Sequence, residues 1–374
     1  MITCSRTTNK HMRLATAARS KGIRTLVSVV LGSVSSVTVL CAQPSPTHPG
    51  ANHTEMTLQQ MAALSAAKSP EITLAVTQSD KELLLSFGPL ELPAHAKRDG
   101  GVPEPPPRWI AIPKDAWIHG YWVEVVDKNG AAVPLSTLSF VNVIATQQRE
   151  LFSPIMLRIA AASSETEAVK LPRLIGLDAH KGDTLLVRAR MHNPTDQRYE
   201  GVRILVHFPL TERNSKIGSL RIQPFYIDVT APSASHSFDL PPGRSEQYWD
   251  AKPSVSVRIL GMTGHVRKYA TALRLEDRTS GKVIWESKID TTANGDPKVI
   301  PLKRFLFPKF GYGIDSDHVY RVTAVFNNPT GATIVDGGMG TLGGVVLVGG
   351  GTKWPVVDPN DPDYKKDLRA MWRP

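Results

Sequence analysis

GDTLLVRARMHNPT, residues 182–195, is the stretch whose reading decides the fold. It returns as DHVYRVTAVFNNPT, residues 317–330, which sets Asn328 where the first copy has Asn193. Each copy alternates apolar and polar residues like a strand and then runs into Asn-Pro-Thr. Proline has no N–H for a ladder and restricts the residue before it, so Asn-Pro stops a strand. A Gly-containing turn and a second apolar run follow each copy: GVRILVHF after the first, GGVVLV after the second. One supersecondary unit used twice predicts two similar β domains in tandem.

The surrounding chain carries the same character. ITLAV, ELLLSF, IQPFYIDV and SVSVRILGMTGHVRKYATALRLED read as strands, and DGGVPEPPPRW reads as a loop. WIHGYWVEVVDKNGAAVPLSTLSFVNVIA predicts a hairpin turning at Lys128-Asn129-Gly130, because Asn-Gly between alternating apolar runs is a strong hairpin signal. Thr279-Ser280-Gly281-Lys282 predicts a second turn, with VIWESKI as the returning strand. IMLRIAAASSETEAVKLPRLIGL is open between a strand with a loop and a turn of helix. About fourteen to sixteen strand candidates, with turn signals at short intervals, predict an all-β chain of two tandem antiparallel β-sandwich, jelly-roll-like domains. The expected divisions are a signal peptide at 1–42, a linker with a short helix at 57–68 within 43–70, a first sandwich at 71–212, a second at 213–350, and a linker-like tail at 351–374 with a short helix near 364–371.

The amino-terminal reading changes the charge argument. Arg6, Lys10, Arg13, Arg19, Lys21 and Arg24 precede the apolar run LVSVVLGSVSSVTVL, and Cys41-Ala42 follows it. A basic region, a short apolar core and a small residue before the cut describe a cleaved export signal. The run is too short and too dotted with Ser and Gly for a membrane anchor, so an exported mature chain without a transmembrane segment is expected. Removing the leader's six basic residues from the 44 of the chain, against 34 acidic, lowers the net charge from +10 to +4. With no basic cluster in the remainder, nucleic acid is not an expected partner. The only two cysteines, Cys4 and Cys41, lie in the leader. Thiol nucleophiles, thiolate metal sites and disulfides are therefore excluded from the mature chain.

Few residues suggest chemistry. His265 and Arg267 are two apart on a strand and share a face, but a guanidinium only donates and cannot ligate a cation. His192 falls in phase with Arg188 and Arg190, opposite Val187 and Ala189. Met339, in the Gly-rich GGMGTLGG, suits either a cover over the sheet or a soft ligand for Cu(I). Gly338, Gly340 and Gly343 do not form a dinucleotide fingerprint, since a turn precedes them and a strand follows. Asp358, Asp361 and Asp363 match no calcium-loop spacing.

Taken together, WIHGYWVEVVDKNGAAVP, LSFVNVIATQQRELFSPI, ARMHNPT, GMTGHVRKYATALRLED and VFNNPTGATIVDGGMGTLGG resemble, in order and spacing, the type II copper, ascorbate-dependent monooxygenases. This is the peptidylglycine and dopamine hydroxylase family, and its bacterial relatives are the nearer match. The similarity runs from about residue 83 to residue 348. It implies two antiparallel sandwiches, each with one copper, facing across a cleft. His265 and Met339 then match ligands of the oxygen-binding copper, and His192 matches the lone histidine of the electron-transfer copper. At the other ligand positions stand Ser139, Phe140 and Arg267, none of them a usable copper donor. The expectation is an exported, non-catalytic homologue with weak or absent copper, holding a small molecule or peptide between its domains. The alternative is a monooxygenase running on the residual His265/Met339 site.

Overall fold

The computed structural model of the chain describes residues 71–97, 101–164, 166, 168–213, 219–230, 232, 236–306 and 309–371. The expected signal peptide and the linker with its short helix lie outside these residues. In chain order the first strands are β1 (Thr73–Gln78), β2 (Glu82–Leu92), β3 (Arg108–Ala111), β4 (Ala116–Ile118), β5 (Gly120–Val126), β6 (Leu138–Arg149), β7 (Met156–Ala162), β8 (Val169–Lys170), β9 (Ile175–Ala179), β10 (Thr184–Met191) and β11 (Tyr199–Glu212). The second set is β12 (Leu220–Asp228), β13 (Phe238–Leu240), β14 (Gly243–Ala251), β15 (Val257–Val266), β16 (Ala270–Asp277), β17 (Lys282–Lys288), β18 (Lys303–Arg304), β19 (Tyr312–Ile314), β20 (Tyr320–Asn328), β21 (Ile334–Gly338) and β22 (Gly340–Leu347). One helix, α1 (Pro362–Met371), follows. The strands outnumber the sequence expectation because β4, β8, β13, β18 and β19 are too short to show an alternating pattern.

The chain is all-β and forms two antiparallel sandwiches. The two quoted stretches become β10 and β20, the inner strands of two sheets with the same plan: β3-β10-β6-β7 and β14-β20-β16-β17. Each sheet covers its own apolar core. One core includes Phe87, Val187, Val206 and Phe208. The other includes Phe225, Leu273, Tyr320 and Phe326. Burying one such side chain contributes about 1.5–3 kcal/mol. The opposing layer is shared, since the path β1-β2-β11-β4-β9-β12-β22-β15-β18 is a single sheet. Its seam is the parallel pair β9–β12, with Leu220 opposite Ile175 and Ile222 opposite Leu177.

Asn-Pro-Thr does the same work twice. The Asn193 amide donates to Leu92 O, Pro93 O and Gln197 O, and its Oδ1 accepts from the Thr195 N–H and hydroxyl. The Asn328 amide donates to Leu240 O, Pro241 O and Ala332 O, and its Oδ1 accepts from Thr330 in the same two ways. Both asparagines are buried, so their own polar atoms need these partners in place of water. Each thereby ties the end of a central strand to a Leu-Pro corner, at the end of β2 in the first sandwich and of β13 in the second.

The Thr279–Lys282 turn joins β16 to β17 as expected. The Asn129-Gly130 turn forms too, with Asp127 Oδ1 accepting from Asn129 and Ala131, but the predicted hairpin does not. β5 pairs with β11 and β8, whereas β6 pairs with β10 and β7 in the other layer. Pro134 and the 3-10 turn Leu135–Thr137 redirect the chain after the single bridge Val126–Ala132. The undecided segment after residue 154 is β7, β8 and β9, with no helix among its described residues.

The chain after residue 350 returns to the body. Trp354 enters the second core, and its indole N–H donates to Arg149 O. Asp361 Oδ1 accepts from the N–H groups of Asp363 and Tyr364, capping α1, with Pro362 at its first position. Tyr364, Leu368 and Met371 pack on Ile144, Met156 and Leu186, the outer surface of the first four-stranded sheet.

Candidate functional site at the junction of the sandwiches

Strand register places three site-face residues abreast. Thr341 of β22 lies opposite Asp228 of β12 on one side and His265 of β15 on the other. Directly opposed residues project from the same face, so Asp228, Thr341 and His265 form a row. The ladder continues one step further, where Arg267 N–H donates to Met339 O at 3.1 Å. Arg267 and Met339 are each two residues along the chain from that row, just outside β15 and β22. The Arg267 guanidinium donates to Asp336 O. Met339 is the single residue between β21 and β22. The glycines around it answer to packing. A Cβ on Gly338 would meet the Phe238 ring at 2.2 Å, and one on Gly343 would meet Tyr226 at 2.9 Å.

This face meets the first sandwich at a buried ionic knot. Arg158 on β7 lies opposite Ile144, on the outer surface of its sheet. Its Nε donates to Glu150 Oε1 at 3.0 Å, and its Nη2 donates to Asp228 Oδ2 at 3.1 Å. The guanidinium also stacks 4.4 Å over the Tyr226 ring. Glu150 Oε1 accepts from the Arg158 N–H as well, and Oε2 accepts from the Tyr226 N–H at 3.3 Å. Asp228 Oδ2 lies 3.2 Å from His236 Nδ1, while Oδ1 accepts from the Thr341 hydroxyl. From α1, Asp367 is buried close enough to feel His236, Arg158, Arg188 and Asp228.

Charge in the knot is unevenly shared. Burial pushes the Glu150 carboxyl up to about 7, against the pull of Arg158. Burial alone would raise Asp228 as well, but Arg158, His236 and Thr341 together hold it well below the ordinary carboxylate range. Burial also raises Asp367, although His236 and Arg158 pull the other way. Asp228 is therefore ionised with both oxygens engaged. That suits it to joining the sandwiches rather than to taking a proton from a substrate.

On the first sandwich, Glu104 grips two arginines of β10. Its Oε1 accepts from Arg188 Nη2 at 2.6 Å and its Oε2 from Arg190 Nε at 2.9 Å. Both guanidinium carbons stand 5.7 Å from the Phe140 ring centre. Beside them Ser139 Oγ lies 2.9 Å from His192 Nδ1. The structure thus groups Ser139, Phe140 and His192 on one sandwich, and His265, Arg267 and Met339 on the other. Glu104, Glu150, Arg158, Asp228 and His236 were not visible as site residues in the sequence. Each lies in an unremarkable strand or loop, and only their pairing across the junction marks them.

His192 Nδ1 lies against the Ser139 hydroxyl, and the Arg267 guanidinium donates to Asp336 O. Among the described residues no group of three or more His, Cys, Asp and Glu side chains is arranged to hold a metal ion. No helix among them is long and apolar enough to cross a membrane.

No family model matches this chain, and no curated protein does. Among solved structures, PNGase F, a glycosylasparaginase from Flavobacterium meningosepticum, is similar at 10% identity over 74% of this chain and 96% of its own, with a TM-score of 0.35. PNGF-II is similar at 10% identity over 76% of this chain and 67% of its own, with a TM-score of 0.27. Scores this low carry no inference about fold or activity.

Proposed function

We propose that this is an exported, non-catalytic binding protein built on the two-sandwich plan of the ascorbate-dependent copper monooxygenases, which holds a small molecule or peptide between its sandwiches. The observation that carries the reading is the backbone contact of Arg267 with Met339, two residues along the chain from His265. A permanent cation at that spot repels a metal ion and cannot yield its proton to ligate one. On the other sandwich, the neutral hydroxyl of Ser139 and the phenyl ring of Phe140 offer no thiolate, imidazole or carboxylate donor.

Copper titration of the purified mature chain tests this reading. No tight copper is expected at micromolar metal, and no ascorbate-dependent oxygen consumption. Arg267→His is expected to raise copper affinity at least about tenfold, because it replaces a cation two residues from His265 with an imidazole donor. No gain from that substitution would break the family reading itself. A second reading rests on Met339 lying two residues along the chain from Thr341, the ladder partner of His265: a copper-dependent monooxygenase using the residual His265/Met339 pair. One tight copper per wild-type chain, lost in His265→Ala, would establish that reading and overturn the first.

A further inference from the structure

We propose that residues 298–306 and 309–310, at the free edge of the second sandwich, form a docking surface for an anionic lipid bilayer. This edge departs from the rest of the surface in both charge and polarity. Lys298, Lys303, Arg304 and Lys309 are exposed, and no acidic residue occurs between Asp296 and Asp315. None of the four makes an ion pair among the described residues. Interleaved with them are large apolar side chains left in water: Val299 at 57% exposure, Leu302 at 48%, Phe310 at 45% and Leu306 at 37%.

The backbone beneath is anchored, so these side chains are presented rather than merely loose. β18 pairs with β15 through Gly261–Arg304 and Met262–Lys303. Phe305 N–H donates to Leu260 O, and Gly311 N–H donates back to Phe305 O at 2.6 Å. Arg258 holds the far side by donating to Phe310 O at 2.7 Å and Gly311 O at 2.6 Å. Ile300 is buried as an internal peg, and its carbonyl accepts from the Thr263 hydroxyl. The apolar tips therefore project outward from an edge and do not line a groove.

Projecting apolar tips need a receiving medium. A bilayer interface takes Leu and Phe below the headgroups while Lys and Arg stay level with the phosphates. A rigid protein partner would instead need pockets matched to four separated tips. The uncompensated positive charge selects an anionic surface over a neutral one.

Co-sedimentation of the mature chain with vesicles tests the proposal, comparing phosphatidylcholine alone with phosphatidylcholine containing one-third phosphatidylglycerol. Binding is expected only to the mixed vesicles and should weaken as salt is raised. Each basic residue near such a surface contributes about fivefold to partitioning. Lys303→Glu/Arg304→Glu is thus expected to lower binding by at least about 25-fold. Leu302→Ser/Phe310→Ser is expected to lower it about tenfold or more, since both tips leave the interface. Should either double variant fail to fold, Phe310→Trp in the otherwise native chain gives a second readout. The emission of the introduced indole is expected to shift to the blue on mixed vesicles alone. Equal binding to both vesicle types, or an indole emission that does not shift, overturns the proposal. So does equally tight binding to soluble polyglutamate with no dependence on Leu302 and Phe310, which would assign the surface to an acidic polypeptide.

Discussion

The two sandwiches share an internal device and differ on the outside. Asn193 and Asn328 make matching sets of hydrogen bonds at matching corners. The four-stranded sheets that carry them have the same strand order. Yet the outer surface of the first sheet is covered by α1 and meets the second sandwich at Arg158. On the second sheet Arg321 forks onto Asp250 at 2.7 and 2.6 Å and stacks 3.8 Å from the Tyr248 ring, and Tyr248 is half exposed. The difference teaches that the device closing a sandwich is common to both, while the outer surfaces differ with what each one touches.

Removing the counterion at the junction should strike hardest. Arg158→Met leaves Glu150 and Asp228 buried without their partner, and a loss of about 3–5 kcal/mol is expected by urea denaturation. A loss no larger than that of an exposed pair would mean that the sandwiches do not depend on this knot.

The same knot should make stability depend on pH. Glu150 rises from an ordinary 4.5 to about 7 on folding. A raised acid stabilises the fold fully below its unfolded value, and that contribution is lost as pH climbs through the folded value. On the order of 3 kcal/mol should disappear between about pH 4.5 and pH 7. Asp228 acts in the opposite sense: its lowered value gives stability above the ordinary carboxylate range that is lost only in strong acid. Glu150→Gln is expected to flatten the melting temperature across the upper window, and an unchanged slope would assign it to another group.

Equivalence of the two corners can be measured directly. Asn193→Ala and Asn328→Ala each remove an amide that serves three carbonyls, one of them buried, so each should lose about 1–3 kcal/mol. The sites are in separate cores, so the double variant should lose nearly the sum. A large imbalance would show that the repeat is shared in geometry but not in energy. The exposed counterpart sets the lower bound. Arg321→Ala should cost under about 1 kcal/mol, because solvent screens its pair with Asp250.

Some of this was readable before any coordinates. The alternation in residues 184–191 and 320–328, each broken by Asn-Pro, is local information, and it determined an all-β chain with a doubled unit. The Thr279–Lys282 hairpin is local in the same sense. The failed hairpin at Asn129-Gly130 shows the limit: the turn was correctly read, but the layer β6 joins depends on partners at β10 and β7, far along the chain. That His265 and Arg267 lie two residues apart was visible in the sequence, whereas the backbone contact of Arg267 with Met339 was not. What the sequence could not hold was the knot. Glu150, Arg158, Asp228 and His236 have no spacing rule, because their attraction becomes strong only when two sandwiches remove the water between them. Likewise, 351–374 reads as a polar tail, and only packing turns Trp354 and Leu368 into buried residues. Periodicity and turn chemistry act between neighbours in sequence, whereas burial and charge pairing act between neighbours in space.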